Sequence, residues 1–168
     1  MEIENQKDMN LATENKNTME KVPLVQLTTY REIQNVIHLF NKIMIPCLSE
    51  RVFDLDAYAD KLYHNAYVYA ATNNELKWIG FTAFYANDRR LWTAYLSQIA
   101  VLPAVQKKGI GKKLLDRCIE VAKRDGMLSL KLEVYQKNDT AIHFYVINGF
   151  QPCGYATQES IYMIKNLA

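Results

Sequence analysis

A mixed α/β (α+β) sheet with helices packed on its faces is the fold class this sequence predicts, and three features carry it. Seven segments are short, apolar and rich in β-branched and aromatic residues, as strands are. Four longer segments repeat apolar residues at helical spacing. The two kinds interleave in the order β-α-α-β-β-β-α-β-α-β-β, so strands and helices must share a core.

Taken in order, VPLVQL (residues 22–27) reads as the first strand. TTYREIQNVIHLFNKI starts at a threonine cap and sets Ile33, Val36, Ile37 and Phe40 on one helical face. DLDAYADKLYHN is a second helix, with Leu55, Tyr58, Leu62 and Tyr63 turned inward. AYVYAAT, the turn NNE and LKWIGFTAFYA give strand, hairpin turn and strand. LWTAYLSQIAVL is a long strand that Pro103 stops. A glycine loop, a helix over residues 110–124, the strand LSLKLEVY and a helix over residues 138–148 follow. FQPCGYAT and ESIYMIKNL close the sheet as two strands.

Composition bounds the function. A length of 168 residues fits one domain, and 49% hydrophobic with 23% charged residues is ordinary for a globular protein. Residues 1–20 are polar and without an aromatic, so a mobile N-terminal tail is expected, with residues 21–168 as the single domain and Met19 as an alternative start. A net charge of +2 argues against a nucleic-acid surface. No apolar run approaches the roughly 20 residues that cross a bilayer, so no membrane partner is expected. Cys47, Cys118 and Cys153 are scattered and odd in number, and no secretory signal is seen; a cytoplasmic location is expected. His38, His64 and His143 lack ligand spacing, so no metal is expected.

The chemistry centres on AVLPAVQKKGIGKKLL. A dinucleotide loop would need a glycine at Leu114 and a tight strand-to-helix turn, but Pro103 to Lys108 intervene. The phosphate loop of nucleotide hydrolases fails at Gln106, where glycine is needed, and at Lys113, where a hydroxyl is needed. What remains is Val101, Pro103, Gln106, Gly109, Gly111, Leu114 and Leu115 at a strand-to-helix junction. Helix N-termini offer unpaired N–H groups and partial positive charge, and glycine lets a phosphate approach the backbone. Lys107, Lys108 and Lys112 add charge there.

This pattern resembles the acetyl-CoA-binding motif of the GNAT superfamily (GCN5-related N-acetyltransferases), [Q/R]-x-x-G-x-[G/A]. NDTAIHFYVINGF supplies a second match: Asn138, Ala141, Tyr145, Gly149 and Phe150 fit the family's N-x-x-A-x-x-x-Y-x-x-x-G-F. LKLEV lies between the two motifs as the intervening strand. The resemblance spans residues 22–167 and implies a mostly antiparallel, roughly seven-stranded sheet with about four helices. It also implies an enzyme, an acetyl-CoA-dependent N-acetyltransferase acting on a primary amine of a small molecule, such as an amino sugar, or of a peptide. A CoA-binding regulatory module without turnover is the alternative, and a homodimer is allowed.

Residue roles follow from the resemblance. Gln106, Lys107, Lys108, Gly109, Ile110, Gly111 and Lys112 would hold the pyrophosphate. Ile99 and Val101 would pair with the pantetheine in a gap between two splayed strands, and Asn138 would cap the last helix and bond the same arm. The amine would attack directly, a tetrahedral intermediate would collapse, and Tyr145 would protonate the leaving thiolate while also lining the cofactor site. A phenol, pKa about 10, stays protonated at neutral pH and can donate. The base is left open: Gln98 stands where many relatives carry an acid, and Ser97, Tyr95, Glu133 or water are alternatives. Tyr58, Tyr63, Trp92, Tyr95 and Tyr135 are candidate pocket walls. Acceptor choice is expected in the segment IPCLSERVFDLD.

Overall fold

The computed structural model describes residues 22–168. The expectations for residues 1–20 and Met19 fall outside the described residues.

The first helical segment shows how local sequence fixes an element. Thr29 Oγ1 accepts from the Glu32 N–H, and Glu32 Oε2 returns to the Thr29 N–H at 3.0 Å. This reciprocal cap satisfies donors that the helix cannot satisfy itself. Helix α1 (Tyr30–Phe40) then buries Ile33, Val36, Ile37 and Phe40, the four residues its periodicity selects. A four-residue helix, α2 (Leu48–Arg51), follows. Asp54 caps α3 (Leu55–Asn65) by accepting from Asp56 and Ala57 N–H groups. On α3 the core residues are Ala59 and Leu62; Tyr63, expected inward, is 43% exposed and rests on Tyr30 and His64 instead.

The strands are β1 (Leu24–Gln26), β2 (Tyr67–Thr72), β3 (Trp78–Tyr85), β4 (Thr93–Val101), β5 (Ser129–Tyr135), β6 (Gln151–Tyr155) and β7 (Ser160–Asn166). Helix α4 (Ile110–Arg124) links β4 to β5, and α5 (Asp139–Ile147) follows β5. All seven strands form one sheet in the order β1-β2-β3-β4-β5-β7-β6, antiparallel except for β4 beside β5. Five helices stand where about four were expected, α2 being the addition.

Strand alternation sorts the core into two faces. Val68, Ala70, Phe81 and Ala83 meet α1, α2 and α3, with the Phe40 and Phe81 rings 5.1 Å apart. On the other face Leu96, Leu130, Leu132 and Met163 meet Leu115, Cys118 and Val121 of α4 and Tyr145 of α5. Each fully buried large side chain stabilises the fold by about 1.5–3 kcal/mol relative to exposure. No helix among the described residues is long and apolar enough to cross a membrane.

Candidate active site

Two breaks in the sheet create the site. The parallel ladder between β4 and β5 runs from Thr93↔Ser129 only to Leu96↔Leu132. Beyond it, β4 stays paired to β3 as far as Val101↔Gly80, and β5 stays paired to β7 as far as Tyr135↔Ser160. Each strand therefore follows its outer neighbour and the two diverge, leaving a wedge open between residues 97–101 and 133–135. The second break is a bulge: Ala83 pairs with Gln98 but Phe84 with Leu96, so Ser97 is an extra residue in β4.

The wedge exposes backbone on its β4 side. Leu102 N–H donates to Ile79 O on β3 at 2.9 Å. Alternation then turns the main-chain groups of Val101 and Ile99 away from β3, toward the wedge. The Val101 carbonyl accepts from Gln106 Nε2 at 2.9 Å, which ties the loop back to the strand end. The side chains of Ile99 and Val101 pack on the α4 side.

From the strand end the chain makes a short 3-10 turn, Pro103–Val105, and reaches α4 through two left-handed residues, Lys107 at φ 61° and Gly109 at φ 79°. Gly109 is the N-cap and offers no side chain, so the first amides of α4 have no side-chain acceptor. Lys113 N–H closes the first turn onto Gly109 O at 3.0 Å. Lys107 and Lys108 are exposed and form no ion pair among the described residues, whereas Lys112 pairs with Asp116 one turn along. Ile110 is buried against Ala71, Ile79 and Leu114 and anchors the helix start. A Cβ on Gly111 would meet the Phe144 ring at 3.7 Å and Val101 Cγ2 at 3.8 Å, so strand end, helix start and α5 converge at that glycine.

The second motif is read out as a capped helix. Asn138 Oδ1 accepts from Ala141 N–H at 3.1 Å at the start of α5. At its end Gly149, φ +84°, lets Phe150 N–H reach Tyr145 O at 3.0 Å, and a Cβ there would lie 2.7 Å from Lys165 Nζ. Phe150 then packs on the Tyr145 ring at 5.5 Å between centroids. Tyr145 is 7% exposed, and burial, with Cys118 and Tyr95 adding to it, raises its phenol above the ordinary range. Its hydroxyl makes no hydrogen bond to a described residue, yet it is not among the wholly enclosed unpartnered atoms, which are Thr72 Oγ1, Tyr85 OH and Arg117 Nε. Its phenol therefore keeps its proton at neutral pH.

On the opposite face the bulge brings Tyr95 and Gln98 to one side, since their partners Tyr85 and Ala83 alternate together. Gln98 is buried, and its Oε1 accepts from Arg51 Nη2 at 3.0 Å. A guanidinium has no acceptor, so this contact fixes the amide orientation. Gln98 Nε2 then donates to Tyr58 OH at 3.1 Å, and Tyr58 OH shares a 2.8 Å hydrogen bond with Ser97 Oγ. Tyr95 is pushed up to about 12 by burial first, then by Glu133, Tyr162 and Tyr58, with Arg51 opposing. Glu133 accepts from Ser160 Oγ at 2.5 Å.

The sequence-predicted residues thus divide. Ile99, Val101, Gln106, Gly109, Ile110, Gly111 and Tyr145 converge on the wedge and its α4 side, while Tyr58, Tyr95, Ser97, Gln98 and Glu133 share the other face. Trp92 does not join them: it sits at the opposite end of β4, 42% exposed, under Arg89. Tyr63 lies on the outside of α3. Arg51 is the residue that sequence reasoning missed; its only signal was its place in the segment expected to choose the acceptor.

The acetyltransferase (GNAT) family profile matches residues 33–150. Streptothricin acetyltransferase A of Bacillus subtilis (strain 168) is 34% identical over 100 residues, 58% of this chain and 54% of that protein. The chain therefore spans about half the length of this curated relative. A Bacillus anthracis str. Ames structure assigned as a streptothricin acetyltransferase, in complex with acetyl coenzyme A, is 27% identical, covers 61% of this chain and 62% of that one, and has a TM-score of 0.55. A GNAT-family acetyltransferase from Staphylococcus aureus Mu50 has a TM-score of 0.71 over 88% of this chain and 99% of that one, at 20% identity, a likeness of fold.

Proposed function

Because the chain belongs to the acetyltransferase (GNAT) family, we propose that it moves an acetyl group from acetyl-CoA to a primary amine. One observation carries the reading: the wedge between β4 and β5 joins a glycine-lined helix N-terminus on one face to a polar cluster on the other.

The residues fit the donor substrate. Ile99 and Val101 backbone groups accept an extended amide-bearing arm as an added strand would. The amides of Ile110, Gly111 and Lys112 and the charges of Lys107 and Lys108 hold a pyrophosphate, with Gln106 bracing the loop. Asn138 uses its carbonyl oxygen on the helix cap, which leaves its amide N–H groups for the same arm. Acetyl-CoA supplies an activated thioester. Tyr145 holds its proton at neutral pH and donates it in a hydrogen bond to the sulfur as the C–S bond breaks, and the amine nitrogen bonds to the carbonyl carbon from the Gln98 face.

Gln98 takes no proton, since a carboxamide is not a base at neutral pH, and its amide is engaged by Arg51 and Tyr58. An alkyl amine with pKa near 10.4 is only about 0.04% neutral at pH 7, a handicap of roughly 4.6 kcal/mol. Tyr95, Ser97, Glu133 or water must relieve it, or the acceptor is a weaker base. The engaged Gln98 also supports a second reading, a CoA-binding module without turnover. Free-thiol release from acetyl-CoA across an amine panel separates the two. Streptothricin belongs in that panel because relatives carry its name, and amino sugars and peptides complete it. Thiol release with any amine upholds the transferase; calorimetric binding of acetyl-CoA with no release from any of them upholds the module.

A further inference from the structure

The acceptor face carries a cation with no anion of its own. Arg51 leaves the end of α2 and reaches Gln98 Oε1, a neutral acceptor, at 3.0 Å, and it also lies 3.9 Å from Met44 Sδ. No carboxylate among the described residues pairs with it. Across the wedge Glu133 is in the converse position: among the described residues its hydrogen-bonding partner is the Ser160 hydroxyl, and no cation pairs with it. A second cation on the Glu133 strand face, Lys131, is stacked 3.7 Å over the Tyr162 ring. Arg51 and Glu133 both lie close enough to Tyr95 to bias its ionisation, so the two unpaired charges flank one aromatic floor.

A guanidinium presents a planar fork of donors matched to a carboxylate, and Gln98 occupies only part of it. Holding that fork by a buried amide, itself locked by Tyr58 and Ser97, fixes where a second acceptor must sit. We propose that Arg51 reads a carboxylate on the acceptor, so that the substrate is a zwitterionic amino acid or amino-carboxylate whose amine lies toward Glu133. The inference rests on the acetyltransferase reading above and names its substrate class. The balance is simple: an ammonium R–NH₃⁺ and the thioester give the amide R–NH–acetyl, a thiol and one proton to solvent. The N–C bond forms, the C–S bond breaks, and the carboxylate is untouched.

The test uses the full chain with acetyl-CoA and matched acceptors: glycine beside methylamine, β-alanine beside ethylamine, ornithine beside putrescine, lysine beside cadaverine. Thiol release gives kcat/KM for each, and calorimetry gives acetyl-CoA affinity. At least one amino acid should exceed its carboxylate-free partner by roughly ten- to hundredfold, the range of a charge-assisted hydrogen bond. Arg51→Ala should erase that preference through KM while acetyl-CoA affinity holds. Gln98→Glu, which gives Arg51 an internal anion, should erase it as well. Equal turnover of both partners, or preference for the amines, overturns the inference and leaves the transferase standing. A preference that survives in Arg51→Ala overturns the role of Arg51. Acetyl-CoA binding without thiol release from these acceptors overturns the inference, and silence of streptothricin, amino sugars and peptides as well overturns the transferase reading too.

Discussion

At the scale of the residue, Tyr145 shows what environment does to a proton donor. Burial raises its phenol, so in the proposed reaction it enters fully protonated, but the same shift makes complete transfer to a thiolate of ordinary pKa, about 8.5, uphill. Its contribution is therefore a hydrogen bond that strengthens as charge collects on sulfur, which lowers the barrier without tightening the ground state. Tyr145→Phe should cost about 10²–10⁴-fold in kcat and leave acetyl-CoA affinity nearly unchanged, measured under conditions where chemistry limits the rate. Because the hydroxyl bonds to no described residue, denaturation should show stability within about 0.5 kcal/mol of the parent. A wild-type kcat would assign the hydroxyl no part in the chemistry. The place of Tyr145 on a capped helix was legible in the sequence, because Asn138 marks the helix start and Gly149 its end. The Arg51–Gln98–Tyr58–Ser97 chain was not: its members are up to 47 residues apart, and only the bulge in β4 turns Gln98 toward Arg51.

At the scale of the element, α4 must satisfy two neighbours at once. Its N-terminus is the proposed pyrophosphate site, and its inner face lies so close to β3 that a Cβ on Gly80 would sit 3.1 Å from Leu114 Cδ1 and 3.3 Å from Ile110 Cγ2, and 3.0 Å from Ala100 O of the neighbouring β4. Gly80→Ala should therefore destabilise the fold by about 1–3 kcal/mol in chemical denaturation, since overpacking forces strand or helix to shift. Gly111 is the opposite case. Its Cβ would meet only ordinary contacts, so Gly111→Asp should fold, but its carboxylate would repel a pyrophosphate at the helix start. Acetyl-CoA affinity should be lost in calorimetry while the melting temperature stays near that of the parent; retained affinity would remove the loop from the cofactor site. The same physics explains which elements the sequence disclosed. Helix α4 runs from Ile110 to Arg124 as its pattern indicates, because six buried residues recur at helical spacing. Helix α2 has four residues and buries Leu48 alone, too short for any period to register.

At the scale of the whole molecule, one sheet holds two half-structures joined along a four-residue parallel ladder and bridged by α4. The tyrosines beside that joint make its stability sensitive to alkali. Tyr95 and Tyr85 are each raised to about 12, mainly by burial, and Tyr145 is raised as well. The sign follows from linkage. Above about pH 10 the unfolded chain releases these protons while the folded chain keeps them, so the unfolded state binds fewer protons and stability falls as pH rises. Their contribution is fully present below pH 10 and is lost between about 10 and 12. Urea midpoints should therefore be insensitive to these phenols from pH 8 to 10 and drop from pH 10 to 11.5. Tyr85→Phe isolates one of them. The Tyr85 hydroxyl is enclosed without a partner, and its ring, with Lys61 Nζ 5.8 Å from the centroid, survives the exchange. Removing an unsatisfied hydroxyl should leave stability at pH 7 unchanged or raise it by about 1 kcal/mol. The fall above pH 10 should become shallower at the same time. A variant that loses stability at pH 7 would mean that the hydroxyl is bonded in solution, and an unaltered alkaline slope would mean that Tyr85 ionises equally in both states.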